Sequence, residues 1–562
     1  MDFSKDYLTK QIIAYIGNKR KLLSLIYKAI ENTGLDRKSG LKFFDVFAGS
    51  GVVSRFAKSL GFEVFTNDWE YYSFIINSCY LGINKSDIKT LFGSEENFSK
   101  LLDKINNLPE PKECEQYIAK YYAPKNFDIN NVDYKTERLF YTKGNALIID
   151  KIRNYIEAEY PLENISENNL KIRNLLLANL IYEAATHTNT SGVFKACHKG
   201  FGGHGKDALK RITEKIKLSP AVLEDSNYQA HIFQEDANIL VNQIKNIDIA
   251  YLDPPYNQHQ YGSNYHLLNT IAKWDKIPAE LELDQNGQLK EKAAIRHDWI
   301  ETRSPYCYKK KAVAAFEKLI ENLDAKRILI SYSTDGIIPF EEMQKICMKK
   351  GDVTLVTNEY TTYRGGKQSN NRQNTNIEFI LCINTEKKAS SESLEEIEKI
   401  FIRKKISLLF KQKFIKDKLL LVANKKSEDT LIFHIKGTEF EIKTHNCFTL
   451  EIPENFGNFP REAQEELFAI LNDCVCKTKE EELAEIFYHG TLDTDISEDA
   501  KNQFIKQLPS TLKKLAHKKN KATFEKWLNT IKDLEKTQPQ KYELINKKIE
   551  TVEKIAEQRF FN

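Results

Sequence analysis

Four consecutive residues, Asp253-Pro254-Pro255-Tyr256, carry the most constrained chemistry in this sequence, and they directly follow the apolar run Ile247 to Leu252. At average composition such a tetrapeptide arises by chance in only about one chain of 500 at this length. The prolines stiffen the end of a strand and remove backbone donors. The Asp253 carboxylate and the Pro254 carbonyl can then both accept hydrogen bonds from one exocyclic amine. Tyr256 supplies a ring to stack on the heterocycle that bears the amine. Taken alone, the tetrapeptide also fits a rigid strand-to-loop turn with a buried tyrosine.

Three further groups fit the same chemistry. Phe47-Ala48-Gly49-Ser50-Gly51 ends a short apolar run and precedes a helical pattern, so its glycines let the backbone approach a ligand closely. It lacks full G-x-G-x-x-G spacing, since Ser54 stands where the third glycine would be, and an ordinary tight turn explains it equally well. Asp68 ends the next apolar run, where α/β sheets place the acid that binds ribose hydroxyls; its plainer role is to cap the helix after it. Tyr15-Ile16-Gly17-Asn18-Lys19 sets a lysine on an aromatic-glycine turn just before a helix and is by itself an ordinary solvated loop.

The elements that must position these groups read as two βα units in series, LKFFDVFAGSGVVSRFAKSLG and EVFTNDWEYYSFIINSCY, which predict a parallel sheet. Residues 81 to 230 are helical and irregular, and strand grammar resumes with IDIAYLDPPY, RILISYSTDG, DVTLVTNEY and IEFILCIN. The middle segment is therefore expected as an insertion in a sheet domain. Past residue 390 the composition shifts. Residues 401 to 450 alternate like hairpins, 451 to 500 hold 3 basic and 14 acidic residues, and 501 to 562 hold 15 basic and 7 acidic. The expected divisions are 1–80, 81–230, 231–388, 389–450 (β-rich) and 451–562 (helical).

With 562 residues and a net charge of only +4, the chain is multidomain and any basic surface must be local. Nine scattered cysteines fit neither a disulfide framework nor a zinc pattern, and His187 and His204 read as loop residues, so no metal is expected. The N-terminus lacks a secretory core and no apolar run approaches a membrane span, which points to a reducing, cytoplasmic setting.

Taken together and in this order, YIGNK, FAGSG, the second-strand Asp68 and DPPY resemble the alpha group (Dam-like, D12 class) of DNA adenine-N6 methyltransferases. The likeness to type II and IIS modification methylases extends over about residues 10 to 385 through YLDPPYNQHQYGSNYHLLNTIAKWD, ERLFYTKGNALIIDKIR and GVFKACHKGFGG. It implies a Rossmann-like α/β methyltransferase sheet with a helical target-recognition insert; the C-terminal part, expected as an α+β accessory domain, carries no such resemblance.

It also implies S-adenosylmethionine as cofactor. Tyr15, Gly17 and Lys19 would meet its methionine end, Phe47, Ala48, Gly49, Ser50 and Gly51 would cradle it, Asp68 would hold its ribose, and Asp236 would lie near its adenine. Asp253, Pro254, Pro255 and Tyr256 would grip a flipped target adenine, with Asp253 bordering the cofactor as well. Cytosine enzymes carry SPPY-like motifs and those for ribosomal RNA or glutamine carry NxPY or NPPY, so Asp253 favours DNA adenine.

Double-stranded DNA is the implied partner, with a cognate restriction endonuclease beside it. The basic stretch 191–217 (Lys195, His198, Lys199, Lys206, Lys210, Arg211) and the stretch 361–373 (Arg364, Lys367, Arg372) are the candidate DNA contacts; each also reads as a solvated loop. Asp429 with Glu441-Ile442-Lys443 has the bare form of a metal nuclease site, though a lysine-rich hairpin accounts for it. The tail is otherwise expected to pair its charges internally and turn one basic face to DNA.

Overall fold

The computed structural model describes residues 2–36, 40–203, 206–357, 378–427, 429–445, 449–451, 453, 456–491 and 498–561. Two compact units emerge, one ending at Ser393 and one running from Leu394 to Asn562.

The first unit is built on a seven-stranded sheet of order β3-β2-β1-β4-β5-β7-β6. Its strands are β1 (Lys42–Asp45), β2 (Glu63–Asn67), β3 (His231–Phe233), β4 (Ile247–Leu252), β5 (Ala325–Ser333), β6 (Asp352–Thr357) and β7 (Glu378–Asn384). All run parallel except β7, which is antiparallel to both β5 and β6. The central strands are nearly continuous apolar runs because helices cover the sheet: Phe43, Phe44, Ile249, Tyr251, Leu329 and Ile380 are all buried. Helix α1 (Leu23–Glu31) packs on β6 and β7, and α2 (Val52–Ser59) packs on β1 and β2. α3 (Tyr71–Tyr80) lies against both β3 and the long helix Glu167–Thr186.

Strand β3 falls between the two blocks of strand grammar; three residues carry too little pattern to be read, and pairing with β2 defines it. His187 differs from its loop expectation. It is the buried C-cap of helix Glu167–Thr186, its Nδ1 2.9 Å from the Glu183 carbonyl one turn earlier.

Arg55 on α2 fixes the N-terminal segment that carries Tyr15 and Lys19. Fully buried, it donates to the carbonyls of Lys10 (3.2 Å) and Gln11 (2.9 Å) and stacks 3.5 Å from the Tyr80 ring. No carboxylate pairs with it in these contacts. Its charge is spent on backbone oxygens that would otherwise be buried without donors.

The second unit holds an antiparallel sheet of order β11-β10-β9-β8, with β8 (Asn424–Ser427), β9 (Thr430–Ile435), β10 (Thr438–His445) and β11 (Thr449–Glu451). Residues 401 to 410, expected in hairpins, instead end the helix Ser391–Phe410: Ile397, Phe401, Ile402, Ile406 and Phe410 recur at helical spacing and are buried. A separate apolar core joins the helices α4 (Lys479–Thr491), α5 (Glu498–Leu515), α6 (Lys521–Lys532) and α7 (Asn546–Phe561). On the sheet, Glu441 is paired with Lys426 at 2.8 Å, and Asp429 accepts from Ser427 and Thr430. Among the described residues no group of three His, Cys, Asp or Glu is arranged to hold a metal, and no helix is long and apolar enough to cross a membrane.

Replacing Arg55 by Met keeps the bulk and removes the donors. Urea unfolding should show a loss of roughly 3 kcal/mol or more, since each stranded carbonyl costs about 1–3 kcal/mol. A loss below about 1 kcal/mol, the bottom of that range, would mean that Arg55 does not secure the N-terminal segment.

Candidate active site

At the carboxyl ends of β1, β2 and β4 lies an open cleft, about 900 Å³ counted with the solvent at its mouth, the place where open α/β sheets bind ligands. Its wall brings together Tyr15, Gly17, Lys19, Phe47, Ala48, Gly49, Ser50, Asp68, Asp236, Asp253 and Pro255 from segments far apart in sequence. Gly51 closes the turn behind it.

That turn is held open by its neighbours. Gly49 and Gly51 take φ of +52° and +75°, the left-handed region open to glycine, and Gly51 leads into α2. A Cβ on Gly49 would sit 2.6 Å from the Tyr15 ring, and one on Gly51 would sit 2.4 Å from Asn77 Oδ1. Ser73 Oγ donates to the Gly49 carbonyl at 2.6 Å. Asp68 does not cap the following helix, which begins at Tyr71. Its Oδ2 accepts from the Gly49 N–H at 2.7 Å and its Oδ1 from the Glu70 N–H at 2.9 Å, so it ties the end of β2 to the glycine turn. Asp236 spends Oδ1 on the N–H groups of Asn238 and Ile239 as the cap of the helical turn Ala237–Leu240.

The Tyr15 segment folds over both halves of the cleft. The Tyr15 ring stacks on Tyr261 and Tyr265 at 5.2 and 4.8 Å, and the Ile16 N–H donates to Tyr265 Oη. Gly17 lies under the Tyr256 hydroxyl, 3.2 Å from where its Cβ would be. This delivers Lys19, itself buried, to Asp253: Nζ lies 3.0 Å from Oδ1 and 5.3 Å from the Tyr256 ring centroid. The approach is an ion pair not aligned as a hydrogen bond, so Oδ1 keeps open acceptor capacity. Tyr256 is fixed from behind, its carbonyl accepting from the Ile337 N–H and its ring edge-on to Tyr332.

The cleft is strongly acidic. Asp45, Asp68, Glu70, Glu235, Asp236 and Asp253 line it against one cation, Lys19. Burial pushes Asp45 and Glu70 up to about 7 and Asp68 and Asp253 up to about 6. Hydrogen bonds from Ser54 to Asp45 and from Asn269 and Thr302 to Glu70 oppose the shift, as Lys19 does for Asp253. Burial works against the Lys19 charge too, but Asp253 and Glu378 outweigh it and hold the ammonium protonated.

Sequence reasoning missed Glu70, Thr302, Ser304, Tyr306 and Glu378. Trp69-Glu70 directly follow Asp68, which was a usable signal. Thr302 and Ser304 arrive on a loop and Tyr306 on the 3-10 turn Pro305–Cys307 that follows it, none in a motif, and Glu378 merely opens β7, its Oε2 buried without a hydrogen-bond partner.

The expected DNA contacts lie outside the cleft wall. Lys195, Lys199, Lys206 and Lys210 are exposed, with Lys199 over the Tyr134 ring, while His198 and Arg211 are half-buried and Arg211 reaches the Thr188 carbonyl. The stretch is anchored beside the residues that follow Tyr256: the Phe194 N–H donates to the Asn264 carbonyl at 2.7 Å. Arg364, Lys367 and Arg372, like His204, lie outside the described residues.

A family model described as D12 class N6 adenine-specific DNA methyltransferase matches residues 15–346. The chain is 33% identical to Type II methyltransferase M.NlaIII of Neisseria lactamica over 365 residues, 65% of this chain and 96% of that protein. It is 30% identical to Modification methylase LlaI of Lactococcus lactis subsp. lactis and 32% identical to Type II methyltransferase M.FokI of Planomicrobium okeanokoites. These matches cover 65% and 60% of this chain but only 54% and 47% of those proteins, so it spans about half their length.

Removing the lysine should expose the cost of the buried acid. In Lys19→Met the Asp253 carboxyl loses its cation and rises further above 6. An acid whose folded pKa is raised loses stability as pH climbs from its unfolded value near 4 to its folded value, about 1.4 kcal/mol per unit. The stability gap between wild type and Lys19→Met should therefore widen between about pH 5 and pH 8 in urea unfolding. An equal gap at both values would show that the pair does not govern Asp253.

Proposed function

The chain belongs to the D12 class of N6 adenine-specific DNA methyltransferases, and on that premise we propose that its acidic cleft binds S-adenosylmethionine and delivers the methyl group to a flipped adenine gripped by Asp253 to Tyr256. The observation that carries this reading is the charge of the cleft. Six acidic side chains face one lysine, and that lysine is already engaged by Asp253; even with Asp45 and Glu70 only partly ionised near pH 7, the remaining wall suits a ligand of net positive charge bearing hydroxyl and ammonium donors. S-adenosylmethionine, with a sulfonium, an ammonium, a carboxylate and a ribose, has that chemistry. When bound it supplies an electrophilic methyl group.

The protein's own residues would do the rest. The Asp68 carboxylate and the glycine turn hold the ribose and methionine portions, and Asp236, with one oxygen committed to its helix cap, offers the other near the adenine ring. Asp253 and the Pro254 carbonyl accept the two N–H bonds of the target amine. This draws its lone pair out of conjugation with the ring and aims it at the methyl carbon. The target nitrogen would take up the methyl group that the bound cofactor supplies, and Asp253 would accept the proton the amine then gives up. Lys19 keeps Asp253 ionised at neutral pH. In this reading Lys19 serves the Asp253 carboxylate, where the sequence implied the methionine end of the cofactor. Tyr256 stacks on the extruded base, offsetting the few kcal/mol of unstacking.

Residues 191–217 would contact phosphates with Lys195, Lys199, Lys206, Lys210 and Arg211, in a helical insert that reads the target sequence. The setting proposed is cytoplasmic and protective: the enzyme modifies the sites that a cognate restriction endonuclease would otherwise cut, as the type II names of its relatives suggest.

Two measurements test this. Asp253→Ala should lose methyl incorporation into DNA from labelled cofactor while still binding S-adenosylmethionine; near wild-type turnover would remove Asp253 from the mechanism. Asp68→Ala should weaken calorimetric S-adenosylmethionine affinity by at least about tenfold, the loss of a charged hydrogen bond worth roughly 1.5–3 kcal/mol. Unchanged affinity in a folded variant would place the ribose elsewhere.

A further inference from the structure

The helical core of the second unit presents a corner where α5 meets α6, formed by residues 512 to 521. Lys513, Lys514, Lys518 and Lys519 are all exposed there, and His517 lies among them, also exposed. Other lysines of the bundle are matched to acids: Lys532 to Glu553 at 2.6 Å, Lys526 to Glu480 at 3.5 Å and, at the edge of the corner, Lys521 to Glu525 at 3.8 Å. Among the described residues, none of the four corner lysines has such a partner.

The fold does not require these charges. Lysines in the last turn of a helix commonly answer its exposed carbonyls, but at the end of α5 that task falls to Arg559 of α7, whose Nη1 donates to the carbonyls of Lys513 and Ala516, each at 3.3 Å. Lys518 and Lys519 stand just before the amino end of α6, where a positive charge opposes the helix dipole. The first turn of α6 contains no acid to offset them. The corner is also rigid: Leu512, Leu515 and Ala516 are buried beneath it, and Phe524 packs edge-on to Phe560 at 5.5 Å.

We propose that this lysine corner grips the phosphate backbone of duplex DNA and so adds sequence-independent affinity to the enzyme. The proposal rests on the adenine methyltransferase reading for the identity of the polyanion. Four separate exposed ammonium groups suit a repeating phosphate chain better than one small anion, which would need a closed site. Lysine contacts to phosphate oxygens position a duplex without reading it.

The experiment uses the full chain and a mixed-sequence duplex, with affinity followed by fluorescence anisotropy across a salt series. In the fourfold variant Lys513→Gln, Lys514→Gln, Lys518→Gln and Lys519→Gln, the slope of log affinity against log salt should flatten by about 0.9 for each phosphate no longer neutralised, up to about 3 to 4 in total. Affinity at about 0.1 M salt should fall by more than roughly tenfold. Arginine at the same four positions should restore both, because the charge is kept. If the fourfold variant matches a wild type that binds duplex and methylates adenine, this proposal falls and the methyltransferase reading stands. If wild type neither binds duplex nor methylates adenine, both fall together. Polyglutamate bound by wild type as tightly as duplex would overturn the assignment of DNA as partner.

Discussion

A carboxylate moved from water into protein costs several kcal/mol unless its surroundings compensate it, and this cleft buries Asp45 and Glu70 and half-buries Asp68 and Asp253. Asp45 receives a hydroxyl, Asp68 receives two backbone N–H groups, and Glu70 receives an amide and a hydroxyl. These donors ease the burial without cancelling the charge. Asp253 alone is met by a cation. Much of the first unit is arranged around that difference: the glycine turn is shaped to reach Asp68, and the N-terminal segment, locked down by Arg55, exists in its observed path to bring Lys19 to the end of β4. A cationic ligand entering such a cleft gains from every acid left without a counter-charge.

What could be read from the sequence was what is local. DPPY, FAGSG and Asp68 each declare themselves within a few residues, because strand ends and tight turns impose their own residue types. Contacts across long separations do not. Lys19 gives no sign that its partner is Asp253, and nothing at Thr302 suggests a bond to Glu70. The antiparallel entry of β7 was equally invisible, since a buried strand has the same apolar composition in either direction. In the second unit, the run KIFIRKKISLLF supports alternation and helical spacing alike, and the tertiary core decides for the helix. Asp68 shows the limit from the other side. Its position was evident, but its observed bonds go to the N–H groups of Gly49 and Glu70, and the helix cap that was its plainer reading does not form.

In the first unit one apolar core joins the sheet to the helices of residues 71 to 186, so the segment between β2 and β3 is integral to the domain's stability. The second unit divides its apolar residues between a sheet-based core and a helical one. The family match ends at residue 346, before that unit begins.

The strand order has a consequence for how the chain is made. β1 and β2 leave the ribosome well before their sheet neighbours β4 and β3, which begin only at Ile247 and His231. At synthesis rates of about 5–20 residues per second, the nascent β1–β2 pair spends on the order of ten to thirty seconds with both lateral edges open. During that interval its unpaired N–H and C=O groups are available to any other extended chain nearby. The two strands are only four and five residues long, with a helix following each, which limits what a stray partner can pair with. Their brevity thus serves biogenesis as well as the cleft, keeping the least protected stage of the nascent enzyme from becoming a template for aggregation.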